Sequence, residues 1–150
     1  LEMFPEAKFI YLYRNPYLIY YSLLHTFSRM IESYQLQKIS KSDIEENVFN
    51  FYEEILQSYW NTKGLIPSGH LMEVCFEDLE VRPMEVLEGI YKELNLPSFE
   101  NAKDSIEKYI LSQKDYQKNN FVLDREAINR ISNRWRSILE KLPYSPPEIS

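Results

Sequence analysis

Residues 8–13, Lys-Phe-Ile-Tyr-Leu-Tyr, form an apolar run without alternation, rich in aromatic and β-branched side chains, that stops at Asn15-Pro16. This pattern predicts a strand buried on both faces. Asn15 is a good N-cap and Pro16 a good first helical residue, because the N–H that proline lacks would be unpaired there. A 3.6-residue stripe of Leu18, Ile19, Ser22, Leu23, Thr26, Phe27, Met30 and Ile31 then predicts a helix reaching the Glu32 region. Ser42 followed by Glu45 resembles a capping box, and Ile44, Val48, Phe51, Tyr52, Ile55, Leu56 and Tyr59 mark one face of a second helix that ends before Gly64 and Pro67.

Leu71 to Phe76 reads as a second strand, and Pro83 opens a third helix with Leu87, Ile90, Tyr91 and Leu94 inward, closed by Leu96-Pro97. A fourth helix starts near Ser98 or Asn101 with Ala102, Ile106, Tyr109 and Ile110 inward. A fifth runs from about Asp124 with Ile128, Ile131, Trp135, Ile138 and Leu142 inward. The tail from Pro143 is predicted to be irregular. Two strands separated by two helices cannot form a hairpin, and strands of this buried type belong in a parallel sheet covered by helices. Further strands are expected upstream, so the pattern describes an incomplete, mostly helical α/β domain. No internal repeat or low-complexity linker divides residues 1–150, and a single domain is the simplest parse.

Composition narrows the class. With 150 residues, 44% of them hydrophobic and 27% charged, the chain suits one globular domain. No apolar stretch approaches the ~20 residues that cross a bilayer, so no membrane span is expected. The net charge of −6 argues against gripping a nucleic-acid backbone. One cysteine, Cys75, excludes an internal disulfide, and no Asn-x-Ser/Thr site occurs, which together favour a cytoplasmic setting. Leu1 is not an initiator methionine and no signal peptide follows it, which suggests a chain beginning inside a longer gene.

The most informative chemistry is a strand that ends in Arg14, then Asn15-Pro16, then a helix with Ser22 on its second turn. Ligands enter open α/β sheets at the C-terminal edge of the strands, and a guanidinium fork grips phosphate bidentately. The helix start would add free N–H groups and a positive dipole end, and the Ser22 hydroxyl could reach the same anion. Spacing alone leaves open a structural alternative, in which Arg14 pairs with a carboxylate and Ser22 bonds back to its own helix.

Phe4-Pro-Glu-Ala-Lys-Phe-Ile-Tyr-Leu-Tyr-Arg-Asn-Pro16, continuing to Ser22 and His25, resembles the segment of nucleotide-dependent sulfotransferases that holds the 3'-phosphate of 3'-phosphoadenosine 5'-phosphosulfate. In that family an arginine before Asn-Pro or Asp-Pro, and a serine eight residues later, bind this phosphate. Arg14 and Ser22 match both. Val74-Cys-Phe-Glu-Asp-Leu79, then Pro83 and Leu94-Asn-Leu-Pro97, is similar to the family's strand, Tyr-Glu-Asp-Leu, proline and helix arrangement, with Phe76 in place of the usual tyrosine. The resemblance covers residues 4–32 and 70–100 well and 109–144 loosely. It implies a P-loop-type sulfotransferase fold of which this chain is the C-terminal part, an acceptor hydroxyl or amine, and no metal ion.

In the same resemblance a basic loop returns to the nucleotide near Lys114-Asp-Tyr-Gln-Lys118, which makes Lys118 the preferred contact and Lys114 the second, against the plainer reading of an exposed turn. The motif's histidine is generally structural, so His25 is assigned to packing, while His70 beside Gly69 is assigned to the surface. Cys75 reads as a small buried apolar residue, Trp60 and Trp135 as helix-face residues, and Asp78 as a helix or turn cap. No zinc-ligand spacing exists. The three glycines, at 64, 69 and 89, form no phosphate-cradling loop. The family places that loop near the domain's N-terminus, so this chain is expected to start after it, to lack the catalytic base, and to be inactive alone. Two rivals stay open: a P-loop-type kinase fragment using magnesium, and a non-enzymatic helical interaction module.

Overall fold

Along the chain the elements are β1 (Phe9–Tyr13), α1 (Pro16–Tyr34), α2 (Lys41–Thr62), a short 3-10 turn (Lys63–Leu65), β2 (Leu71–Cys75), α3 (Phe76–Val81), α4 (Pro83–Glu93), α5 (Phe99–Ser112), α6 (Arg125–Arg134) and α7 (Arg136–Leu139). They come from a computed structural model that describes residues 3–113, 115, 121 and 123–147. The chain divides into two units, one of residues 1–14 and 63–119, the other of residues 15–62 and 120–150.

In the first unit β1 and β2 pair in parallel, with Phe9 opposite Leu71 and Tyr13 opposite Cys75. Parallel pairing is what the intervening helices demand, since no tight turn can join the strands. The start of the ladder is fixed by the Phe9 N–H, which donates to the His70 carbonyl at 2.7 Å, and by the His70 ring, whose Nδ1 hydrogen-bonds the Ala7 carbonyl at 3.1 Å. His70 is therefore a half-buried tie between the strand entries and not a surface residue.

Val74, Ile90 and Leu94 are the buried centre of this unit, with Met72, Leu79, Val86, Leu87 and Leu96 packed around them. α4 closes over β2, because Leu87, Ile90 and Leu94 share one helical face and Pro83 starts the helix without wasting a donor. At its end Asn95 takes a left-handed conformation (φ 50°), and the Leu96 N–H returns to the Tyr91 carbonyl at 2.8 Å. Tyr109 of α5, predicted to face inward, is exposed, while Ala102, Ile106 and Ile110 are half-buried.

Two strand predictions are corrected. Ile10 and Leu12 share a face with Met72 and Val74 by register, yet they are 52% and 46% exposed, so β1 is not covered on both faces. Moreover, β2 ends at Cys75, and Phe76 is the first residue of α3.

The second unit holds α1, α2, α6 and α7 around an aromatic centre. Trp135 is completely buried, 4.5 Å from Tyr52, 5.2 Å from Phe49 and 6.0 Å from Tyr20 between ring centroids, and its indole N–H donates to the Phe49 carbonyl at 3.3 Å. The predicted fifth helix is interrupted at this residue, where the backbone leaves helical geometry (φ −100°, ψ 24°) and α7 begins. The closed face of α1 is Tyr17 and Tyr20, not the predicted aliphatic stripe, of which Met30 is exposed. Tyrosine suits such a place because its ring packs while its hydroxyl finds a partner: Tyr17 and Ser132 hydroxyls lie 2.8 Å apart. Burial, then the Glu45 carboxylate, pushes the Tyr20 phenol up to about 12.

α2 buries Ile44, Val48, Phe49 and Leu56, whereas Phe51 and Ile55 of the predicted face stay partly exposed. Its cap is Ser40 and not Ser42: the Asp43 N–H donates to Ser40 Oγ at 3.1 Å, and Ser40 Oγ donates to the Asp43 carboxylate at 2.6 Å. The Asp43 carboxylate accepts from the Ser40 hydroxyl and not from its backbone N–H, so the arrangement is a hydroxyl cap and not the reciprocal pair of a capping box. α6 starts where predicted, with Asp124 as its cap, accepting from the Ala127 N–H at 2.7 Å.

Candidate functional site

Arg14 follows the last residue of β1, and Phe76 follows the last residue of β2. Because Tyr13 and Cys75 are register partners, the next residue of each strand emerges at the same edge of the sheet. The Arg14 guanidinium carbon sits 4.4 Å from the centroid of the Phe76 ring. That is well within the ~6 Å at which a guanidinium is held over an aromatic face. Thus the two segments that carried the family resemblance meet in the first unit, at the strand ends where open α/β sheets take ligands.

Arg14 is half-buried, and its Nε is buried without a hydrogen-bond partner among the described residues. No carboxylate among the described residues pairs with it. An unpaired buried donor on a permanently charged group is costly, and an anion would satisfy it. The residues therefore fit a phosphate. The aromatic ring supplies an apolar platform under the guanidinium, and that contact needs no tyrosine hydroxyl at Phe76.

Beside this edge Tyr13, Cys75, Asp78, Arg82, Glu85 and Gly89 contribute to the lining of a cleft of about 250 Å³. Its charge does not suit an anion. Arg82 is already held by Asp78 and Glu85, each at 2.9 Å, and Glu73 adds a further carboxylate. Burial, then the Cys75 thiol and the carboxylates Asp78, Glu73 and Glu77, pushes the Tyr13 phenol up. Asp78 thus serves as an ion-pair partner inside α3 and not as the expected cap. Cys75 is half-buried, with its thiol donating to the Glu77 carboxylate at 3.2 Å, so it is not the wholly apolar residue that the strand pattern suggested.

Ser22 lies in the second unit, half-buried on the second turn of α1. Its carbonyl accepts from the Thr26 hydroxyl at 2.9 Å, while its own hydroxyl makes no hydrogen bond among the described residues. The back-bonding considered for Ser22 is performed by Thr26 and, at 3.1 Å to the Arg29 carbonyl, by Ser33. The start of α1 differs from the expectation of free donors. Asn15 Oδ1 accepts from the Tyr17 N–H at 3.0 Å, and the Asn15 carbonyl accepts from Leu18 at 3.1 Å and Ile19 at 3.0 Å. Pro16 has no N–H, so the first turn offers its dipole and no unused donor. His25 is exposed, off the closed face that Tyr17 and Tyr20 define, and does not pack as expected.

Lys118 and Lys114 lie outside the described residues. Phe76, noted in the sequence only as replacing the family's usual tyrosine, is the ring beneath Arg14, a contact the sequence reading did not anticipate. The signal was available: both strands are five residues long and both motifs follow directly on a strand end.

A protein-family profile described as "Sulfotransferase family" matches residues 1–101. Two curated relatives, from Mycobacterium bovis and Mycobacterium tuberculosis, each named omega-hydroxy-beta-dihydromenaquinone-9 sulfotransferase Stf3, are 27% identical over 144 residues, which covers 96% of this chain and 37% of theirs. The chain thus spans little more than a third of the length of the relatives it matches. No solved structure matches it.

Proposed function

Because the chain belongs to the sulfotransferase family, we propose that the protein of which it forms a part transfers a sulfuryl group from 3'-phosphoadenosine 5'-phosphosulfate to an acceptor hydroxyl or amine. The acceptor atom attacks sulfur in line, its proton passes to a base, and 3'-phosphoadenosine 5'-phosphate leaves. Positioning and charge stabilisation dominate such a transfer. Residues 1–150 form the C-terminal part of a single domain, and their share is to hold the donor away from the reacting bond, where binding energy orients without bond making. We assign neither the catalytic base nor the 5'-phosphosulfate loop to them, and in this reading they do not turn over donor alone.

The observation that carries the reading is Arg14 on the Phe76 ring with an unpaired buried Nε at a parallel strand end. Ser22 joins it through the eight-residue spacing of the sequence motif, and Lys118 through its place before the last helix. The family match favours this chemistry over magnesium-dependent phosphoryl transfer or a purely structural helical module. The relatives' name favours a hydroxyl acceptor. No helix among the described residues is long and apolar enough to cross a membrane, and we place the reaction in the cytoplasm.

Calorimetry on the full-length protein tests the assignment. A hydrogen bond to a charged partner contributes roughly 1.5–3 kcal/mol, so Arg14→Ala should weaken 3'-phosphoadenosine 5'-phosphate at least ~10-fold, and Ser22→Ala less. AMP, which lacks the 3'-phosphate, should bind weakly and respond to neither. Equal losses for both nucleotides would place Arg14 elsewhere on the ligand or in the fold.

A further inference from the structure

The connection between α1 and α2, in the second unit, carries a patch that nothing in the nucleotide reading uses. Met30 and Tyr34 are four residues apart on the last turns of α1, hence on one side of it, and are 53% and 81% exposed. Leu36, two residues beyond the helix, is fully exposed. Among the described residues of the unit these are the most solvent-facing large apolar side chains, and they fall within seven residues of sequence.

Charge around them departs from the rest of the chain. Across residues 29–41 the bases Arg29, Lys38 and Lys41 stand against one carboxylate, Glu32, in a protein of net charge −6. All three bases are exposed, and none forms an ion pair among the described residues. The acidic residues that follow are already engaged. Asp43 is held by Ser40, Glu45 by Arg130 at 3.0 Å and Glu46 by Arg134 at 2.9 Å. The connection is also shaped: the Gln35 N–H closes on the Ile31 carbonyl at 2.8 Å, and Gln35 Oε1 accepts from the Ile39 N–H at 3.3 Å.

An exposed tyrosine, leucine and methionine flanked in sequence by exposed lysine and arginine is the chemistry of an interfacial contact. Tyrosine sits at headgroup depth, leucine and methionine reach the acyl boundary, and the bases meet anionic headgroups. We propose that the α1–α2 connection is a peripheral docking site for an anionic lipid bilayer, which holds the protein at a membrane surface without crossing it. The charge reversal favours this occupant over an apolar protein face, which would not call for three free bases.

The test is co-sedimentation of the full-length protein with vesicles of phosphatidylglycerol mixed with phosphatidylcholine, and with phosphatidylcholine alone. Partitioning should require the anionic lipid and weaken as salt shortens the screening length. Each base near an anionic surface contributes about a factor of five, so Lys38→Glu with Lys41→Glu should lower partitioning more than ~10-fold. Tyr34→Ser with Leu36→Ser should lower it comparably, by removing the inserted side chains. Both pairs lie on exposed positions, and circular dichroism checks that the fold is kept. Failure to bind, equal binding to neutral vesicles, or indifference to both pairs of substitutions would overturn the proposal. Self-association in sedimentation velocity that Leu36→Ser abolishes would overturn it too, by identifying a second copy as the occupant.

Discussion

Removing the Phe76 ring tests whether the meeting of the two strand ends is the basis of the proposed nucleotide binding. The guanidinium carbon of Arg14 lies 4.4 Å from the ring centroid, and both residues are half-buried. A cation–π contact contributes about 0.5–1 kcal/mol when exposed and about 2 kcal/mol when desolvated, so this intermediate case is near 1 kcal/mol. Phe76→Ala should therefore weaken 3'-phosphoadenosine 5'-phosphate ~5-fold, since the fork must then be ordered on binding. Phe76→Tyr keeps the platform and should bind within about twofold of the original protein. Calorimetry with AMP as control separates this from general damage, and a double-mutant cycle sharpens it. With Arg14→Ala already present, Phe76→Ala should cost almost nothing further, because the ring no longer has a cation to hold. If Phe76→Ala binds the nucleotide normally, or if its effect simply adds to that of Arg14→Ala, the ring does not position the arginine and the reasoning fails.

Trp135→Ala should cost the second unit about 3–5 kcal/mol in urea unfolding of the full-length protein, since it removes a fully buried ring with three aromatic neighbours and the Phe49 carbonyl's partner; near-original stability would refute the aromatic-anchor account. The Asp124 carboxyl is held below the ordinary carboxylate range chiefly by the Ala127 N–H. Its stabilisation should be complete above the unfolded pKa of about 4 and fade as pH falls through the lower folded value, so the stability gap to Asp124→Ala measured by thermal melts should narrow in acid. A pH-independent gap would assign the effect to packing.

Elements whose identity depends on local chemistry were legible in the sequence. Asn15-Pro16, Pro83 and Asp124 each begin or cap a helix in the structure, and the buried character of Ile90 and Leu94 followed from their helical spacing. What misled was the phase of the stripe on α1: the face drawn through Leu18, Ile19 and Met30 left out Tyr17 and Tyr20, which are the buried pair, with the Tyr17 hydroxyl 2.8 Å from that of Ser132. In the last helix, periodicity ran smoothly through Trp135 and could not register that its indole is fixed by a carbonyl 86 residues away, at a point where the helical backbone stops. Tertiary partners decided both cases.

The Arg14–Phe76 contact follows from the sheet and not from either motif alone. An arginine after one strand and an aromatic residue after another are each uninformative alone, because either can be an ordinary surface residue. Parallel pairing in a fixed register converts two independent sequence positions into neighbours, since strands of equal length that start opposite one another must also end opposite one another. The Phe9–Leu71 pairing, secured by the His70 tie to Ala7, therefore determines the Arg14–Phe76 contact five residues later. A one-residue slip would turn the side chains of one strand to its other face, so that the ring would point away from the guanidinium. The contact at the sheet's edge is thus set by hydrogen bonds at the opposite end of the strands.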